Sequence, residues 1–287
     1  MTQTSFLDIV EPSPEVVNVA SVPQRSPFRY PGGKTWLIPV VREWLQQDGR
    51  RPAALVEPFA GGGIVSLTAA FENLAEHVHM VELDPDISAV WQVIFSEGNQ
   101  WLADEIMNFK LSHEAASAAI EKAGESVKAR AFSTIVRNRI NHGGIITKGS
   151  GVLKNGENGK GIASRWYAET LHKRITAIQS VQHKVTFTEG NAFDTLKDYR
   201  KEKDFYFFID PPYTVAGKRL YTFFDIDHEG LFAAVSKLKG KFMLTYDDTP
   251  HIRDLAEKYK LPFKTIPMKT THHLLKQEIL VTDNLNW

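Results

Sequence analysis

Six short apolar runs constrain this chain more than any other feature. They are "ALVEPF" (54–59), "HVHMVEL" (77–83), "KVTFTEG" (184–190), "DFYFFID" (204–210), "KFMLTYD" (241–247) and "QEILVTD" (277–283). Each is rich in β-branched or aromatic residues and bounded by turn formers, which reads as a strand. Helical patterns lie between several of them, as in "GIVSLTAAFENLA" (63–75), "PDISAVWQVIFSEG" (85–98) and "DHEGLFAAVSKL" (227–238). Strands alternating with helices imply right-handed crossovers and a mostly parallel α/β sheet. The alternation fails once. Between the second run and the third lie roughly a hundred residues with no strand pattern, far more than a crossover needs. This stretch reads as a mainly helical insertion.

The insertion is chemically distinct. The whole chain balances 34 basic against 34 acidic residues, so its net charge selects no partner. From Ser126 to Lys184, however, 11 Lys and Arg face two acids, Glu157 and Glu169. Seven of the 19 glycines fall in "GGIITKGSGVLKNGENGKG" (143–161). Glycine is the costliest residue to order, and three lysines here, Lys148, Lys154 and Lys160, oppose one acid. The expectation is a mobile loop that stays off the core and meets DNA phosphates. Arg137, Asn138 and Arg139 are candidates for groove or backbone contacts, since Arg–guanine and Asn–adenine pairs are the relevant chemistry.

Cysteine is absent, which excludes disulfides, thiolate metal sites and a cysteine nucleophile. His142 and the His272–His273 pair lack a second ligand cluster and read as surface or DNA-contacting residues, so no metal is expected. No long apolar span or signal-peptide pattern is present, and the expectation is a cytoplasmic protein with no membrane association. The first 25 residues are rich in Pro and Ser and read as a flexible lead-in.

Two strand ends carry candidate chemistry. "EPFAGGGIVS" (57–66) follows the first strand and opens a helix. Gly61 and Gly63 allow a tight turn and close approach of a ligand, although Ser66 stands where a full dinucleotide fingerprint has glycine. Some 20 residues on, the second strand ends at Glu82, where an acid can accept both ribose hydroxyls of an adenosine ligand. Asp84 is a weaker alternative. "YPGGKT" (30–35) is no phosphate-binding loop, because Phe28 replaces its first glycine and no strand precedes it. Lys34 is instead placed by a glycine turn at a helix start, within reach of a carboxylate.

The fourth strand stops in Asp210-Pro211-Pro212-Tyr213. Proline cannot donate to a sheet ladder, so this corner sits at the carboxyl edge, where open α/β sheets bind ligands. The chemistry that fits is methyl transfer to an exocyclic amine. The Asp210 carboxylate can accept one N–H and the Pro211 carbonyl the other, freeing the nitrogen lone pair. The rigid Pro211-Pro212 corner holds both acceptors still. Tyr213 offers a face on which a base can stack.

Together these residues resemble the Dam-type DNA adenine N6-methyltransferases, from about Phe28 to the C-terminus. "FRYPGGK" is similar to that family's N-terminal segment, which implies cofactor contacts from Tyr30 and Lys34. "EPFAGGG" resembles its glycine motif and implies Phe59, Gly61 and Gly63 around the cofactor. "VELDPDI" resembles the segment of the ribose-binding acid, with Glu82 where Asp is usual. "GNAFDTL" resembles the segment that contacts the cofactor's adenine, here through Asn191 and Phe193. "DPPY" matches the catalytic motif, which also adjoins the cofactor through Asp210, and "KQEILVTDN" the closing strand. The resemblance implies S-adenosylmethionine as cofactor and a Rossmann-like methyltransferase sheet, mostly parallel with a final antiparallel strand. It implies a catalytic domain over 26–95 and 184–287 and an inserted target-recognition domain over 96–183. The expected partner is double-stranded DNA with a flipped adenine, and no obligatory protein partner is inferred. The alternatives are an RNA or protein-amide methyltransferase, or a non-catalytic DNA-binding protein of the same fold.

Overall fold

The computed structural model describes residues 21–147, 149–156, 159–213, 221–223, 225–269 and 275–287. Lys148, His272, His273 and residues 1–20 of the lead-in lie outside the described residues.

Seven strands form one sheet: β1 (Ala54–Glu57), β2 (His77–Glu82), β3 (Val185–Glu189), β4 (Phe205–Ile209), β5 (Lys241–Asp247), β6 (Phe263–Lys269) and β7 (Leu275–Thr282). Their order is β3-β2-β1-β4-β5-β7-β6. The first five run parallel, and β7 is antiparallel to both β5 and β6. The expected Rossmann-like methyltransferase sheet is therefore present, with its closing antiparallel strand. Strand β6 escapes a sequence reading because Pro267 interrupts "FKTIPMK". Its edge position explains the proline, since an edge strand leaves one side without ladder partners.

The central strands are apolar throughout because both faces are covered. On one face Leu55, Met80, Phe208 and Met243 join a core with helices α1 (Ile38–Gln46), α2 (Ile64–Phe71) and α3 (Pro85–Ile94). On the other, Val56, Phe207, Ile209 and Leu244 pack with α8 (Ala192–Tyr199), α9 (His228–Val235) and α10 (Pro250–Lys258). The chain runs outward from β1 through β2 to β3, then returns to β4 on the other side of β1. This reversal opens a crevice at the carboxyl ends of β1 and β4.

Helices α4 (Gly98–Asn108), α5 (His113–Glu121), α6 (Val127–Ile140) and α7 (Ala168–Ile178) fill the interval between β2 and β3. Ile106, Ala116, Ile135 and Ile175 belong to the same core as α1–α3, so this segment shares the interior of the sheet. The glycine-rich stretch that follows α6 does not stay off the core. Ile146 and Ile162 are buried in it, Leu153 is buried as well, and Leu153 N donates to Ile140 O at 2.8 Å. Its isoleucines and leucine outweigh the entropy of its glycines at these points. Docking of the N-terminal segment also starts early. Val22 is buried, and Arg25 pairs with Glu72 across the Phe71 ring, within the range read as lead-in. No helix among the described residues is long and apolar enough to cross a membrane.

Candidate active site

The crevice holds a cavity of about 1840 Å³, larger than a typical small-molecule site. Asp210 follows the last residue of β4 and lines it. Two donors fix its carboxylate. Lys34 Nζ lies 2.9 Å away, and Thr245 Oγ1 of β5 donates at 2.7 Å. Lys34 arrives there through the turn Tyr30-Pro31-Gly32-Gly33, closed by Gly33 N donating to Tyr30 O at 3.1 Å. Gly32 has φ +75°, and a Cβ on it would meet the Tyr221 hydroxyl at 2.9 Å. Pro followed by a left-handed glycine is the chemistry that a type II turn requires.

Lys34 is 3 % exposed. Burial works against its charge, but the Asp210 and Glu278 carboxylates outweigh it and hold the ammonium above its ordinary range. Its ammonium also sits 4.9 Å from the Tyr213 ring centroid. Lys34 thus binds the Asp210–Tyr213 corner on both its acid and its aromatic. Pro211 is buried and Pro212 and Tyr213 are half-buried beside it.

The glycine corner makes the expected tight turn, lines the cavity and also admits neighbouring side chains. Gly61 has φ +47°, and a Cβ there would lie 2.6 Å from the Tyr30 ring. A Cβ on Gly63 would lie 2.7 Å from Met80 and 2.8 Å from Trp91. These glycines make room for Tyr30 and for the packing of α3, where Trp91 Nε1 donates to Gly61 O at 2.9 Å. The cavity then begins above Tyr30, which stacks on Tyr221 at 5.8 Å.

Glu82 is buried at the end of β2 and accepts from Gly61 N at 2.8 Å and from Leu83 N and Asp84 N at 2.9 Å. Burial pushes its carboxyl up to about 7, against these N–H groups. Asp84 caps α3 by accepting from Asp86 N. Glu57 ends β1 and accepts from Ser66 N in the first turn of α2. Burial pushes it up to about 8, although hydrogen bonds from Ser66 favour its charged form. Asn191 caps α8 by accepting from Phe193 N at 2.8 Å. Phe59, Asn191 and Phe193 all line the cavity.

Residues 30–273 match the model of the D12 class N6 adenine-specific DNA methyltransferases. The chain belongs to this family. It is an adenine DNA methyltransferase enzyme with S-adenosylmethionine as methyl donor. No curated protein matches the sequence. Among solved structures, a Pyrococcus horikoshii protein described as a putative RNA methyltransferase shares 10 % identity over 86 % of this chain and 81 % of its own, at TM-score 0.39. A precorrin-6y C5,15-methyltransferase from Geobacter metallireducens shares 12 % identity over 85 % and 87 %, at TM-score 0.36. With scores this low, the assignment rests on the family model.

The cavity suits the donor this D12 methyltransferase requires. Leu83, 45 % exposed, and Phe193 offer apolar surface, while Glu82 and the Asn191 amide lie beside them as polar groups. Leu83, Thr245, Tyr221 and Glu278 escape a motif-based reading. Of these, Glu278 leaves a trace in the sequence, as an acid opening the apolar run "EILV".

The residues singled out on α6 turn inward. Asn138, 1 % exposed, accepts from Arg29 N at 2.9 Å and donates to Arg29 O at 3.0 Å and Gly144 O at 2.7 Å. Arg139 is buried and donates to Pro27 O. Arg137 pairs with Asp86 at 2.6 Å and donates to Ile146 O. Asn138 and Arg139 are thus committed to internal partners, and Arg139 also lines the cavity. A sequence cannot show which side of a helix faces the N-terminal segment. Lys154, Lys160 and His142 are exposed.

Proposed function

We propose that this enzyme methylates the N6 amine of an adenine flipped out of duplex DNA, in the cytoplasm. The observation that carries this reading is the Asp210 carboxylate, held by Lys34 and Thr245 at the floor of a cavity roomy enough for a cofactor and a base. When bound, the cofactor supplies an electrophilic methyl group. Asp210 and the Pro211 carbonyl accept hydrogen bonds from the two amine N–H groups, which turns the nitrogen lone pair away from the ring, and the one proton lost on methylation leaves from the Asp210 side. Lys34 and Thr245 occupy part of the Asp210 acceptor capacity and fix its direction, so no reorganisation is needed as charge develops on nitrogen. Tyr213 supports the base face. In this reading Glu82 carries the ribose, Asn191 and Phe193 meet the adenine, and Tyr30 backs the methionine end. Residues 96–183 supply target recognition.

The test is methylation of random-sequence duplex DNA, read by modification-sensitive sequencing, beside single-stranded DNA and RNA of matched sequence. Methyl-adenine in a defined duplex context is expected. Equal or faster modification of RNA would overturn it.

A further inference from the structure

Glu278 is a buried acid at the head of the apolar run Ile279–Val281. It precedes Ile279, Leu280 and Val281, all fully buried in β7, and is itself 4 % exposed. In register it lies opposite Asp247 of β5 and Ile266 of β6. Burying a carboxylate is costly unless it is paired and hydrogen-bonded. Two groups meet that cost. The Tyr213 hydroxyl donates to Glu278 Oε2 at 2.9 Å, and Lys34 Nζ lies 3.9 Å from the same oxygen. Asp210 takes the closer, 2.9 Å contact with Lys34 and the Thr245 hydroxyl. The tyrosine is therefore the group Glu278 holds directly.

We propose that Glu278 is a positioning residue for methyl transfer, fixing the Tyr213 ring at the wall where the target base stacks. This rests on the functional reading above. Tyr213 follows two prolines at the end of β4, so its backbone is rigid but its ring needs anchors of its own. The Lys34 ammonium sits against its face and the Tyr246 ring lies 6.0 Å away, while Glu278 holds the tip. Base stacking on an aromatic depends on the plane of the ring, and small misplacements near a reacting centre are costly. Glu278 reaches the reaction through Tyr213, not by touching the amine.

The competing role is a counter-ion for Lys34, and the two roles separate by substitution. Glu278→Gln keeps an acceptor for the tyrosine hydroxyl but removes the charge. Glu278→Leu removes both, and Tyr213→Phe removes the donor alone. Positioning predicts a wild-type-like kcat for Glu278→Gln. It predicts a loss of about 10- to 100-fold in kcat for Tyr213→Phe and for Glu278→Leu, the range of one hydrogen bond to a charged group. Cofactor KM should stay unchanged, and the double variant should be no slower than Tyr213→Phe alone. If Glu278→Leu fails to fold, Glu278→Gln and Tyr213→Phe still decide. A kcat for Glu278→Gln that falls as far as the tyrosine variant is meant to, with Tyr213→Phe unimpaired, overturns the proposal in favour of the counter-ion. Wild-type enzyme inactive on every DNA would overturn the functional reading itself, and this role with it.

Discussion

The cationic residues between β2 and β3 meet two opposite fates. On α6 Asn138 and Arg139 turn inward and hold the chain that delivers Tyr30 and Lys34 to the site. In the following glycine-rich stretch, Lys154 and Lys160 turn outward, and their ammonium groups have no partner among the described residues. The same excess of positive charge thus contains a structural part and a part open to solvent. Local charge density reports neither, because what a cation does depends on what it faces. The α6 group is fixed by carbonyls of residues 27 and 29, more than a hundred positions earlier in the chain.

The largest test of the inward group lies where it delivers its cargo. In the proposed mechanism Asp210→Ala removes one of two amine acceptors in a preorganised site, so it should lower methyl transfer by about 100- to 1,000-fold. Cofactor binding, followed by calorimetry, should survive. Near-normal turnover would separate the buried charge cluster from the chemistry. Loss of folding would point to Lys34 as the cause, left with the Glu278 carboxylate 3.9 Å away.

Next in size is Asn138→Leu. The substitution strands both backbone groups of Arg29, and each buried unsatisfied group costs about 1–3 kcal/mol. The expected fall in thermal midpoint is about 4–24 °C, at roughly 2–4 °C per kcal/mol for a large single chain. The salt dependence of DNA binding should not change. A flatter salt slope in a stably folded variant would return this residue to the DNA surface.

The sequence made the sheet legible because its central strands, β1 and β4, are almost wholly buried and the strand ends carry acids. Glu57, Glu82 and Asp210 all stand at the carboxyl edges of their strands, as the turn chemistry after each one requires. Strand β6 was hidden by Pro267, which only its edge position excuses. Thr245 and Glu278 were hidden because their roles come from neighbours across β5 and β7, not from local pattern. The inward placement of Asn138 and Arg139 was hidden for the same reason: exposure is decided by tertiary packing that periodicity does not contain. Gly61 and Gly63 were found for their freedom of φ, but the groups they admit, Tyr30 and Trp91, come from distant segments.

A smaller effect concerns charge inside the crevice. Glu57 has its folded pKa pushed up to about 8 from an ordinary value near 4.5. The folded state therefore keeps a proton that the unfolded state releases, and stability falls as pH rises from about 4.5 through 8. Glu57→Gln keeps an acceptor for Ser66 N and removes this dependence. Its thermal midpoint should exceed wild type by a few degrees at pH 8 and match it near pH 4. Parallel pH profiles for the two proteins would show that Glu57 does not titrate in this window.

The smallest effect belongs to the outward lysines, and it tests the other half of the comparison. Lys154 and Lys160 are exposed and sit on a stretch whose Leu153 and Ile162 are buried, so they are displayed from an anchored base. An anchored display pays less ordering entropy on binding than a free loop would. If both lysines meet phosphates, Lys154→Ala with Lys160→Ala should reduce the log–log salt slope of DNA binding by about one per lost contact. Catalytic turnover at saturating DNA and cofactor affinity should stay as in wild type, because neither residue lines the cavity. Fold stability should also hold, since an exposed lysine contributes little to it. An unchanged slope with unchanged affinity would mean that this stretch points away from DNA. Cations elsewhere, such as Arg174 at the cavity rim, would then have to carry the phosphate contacts.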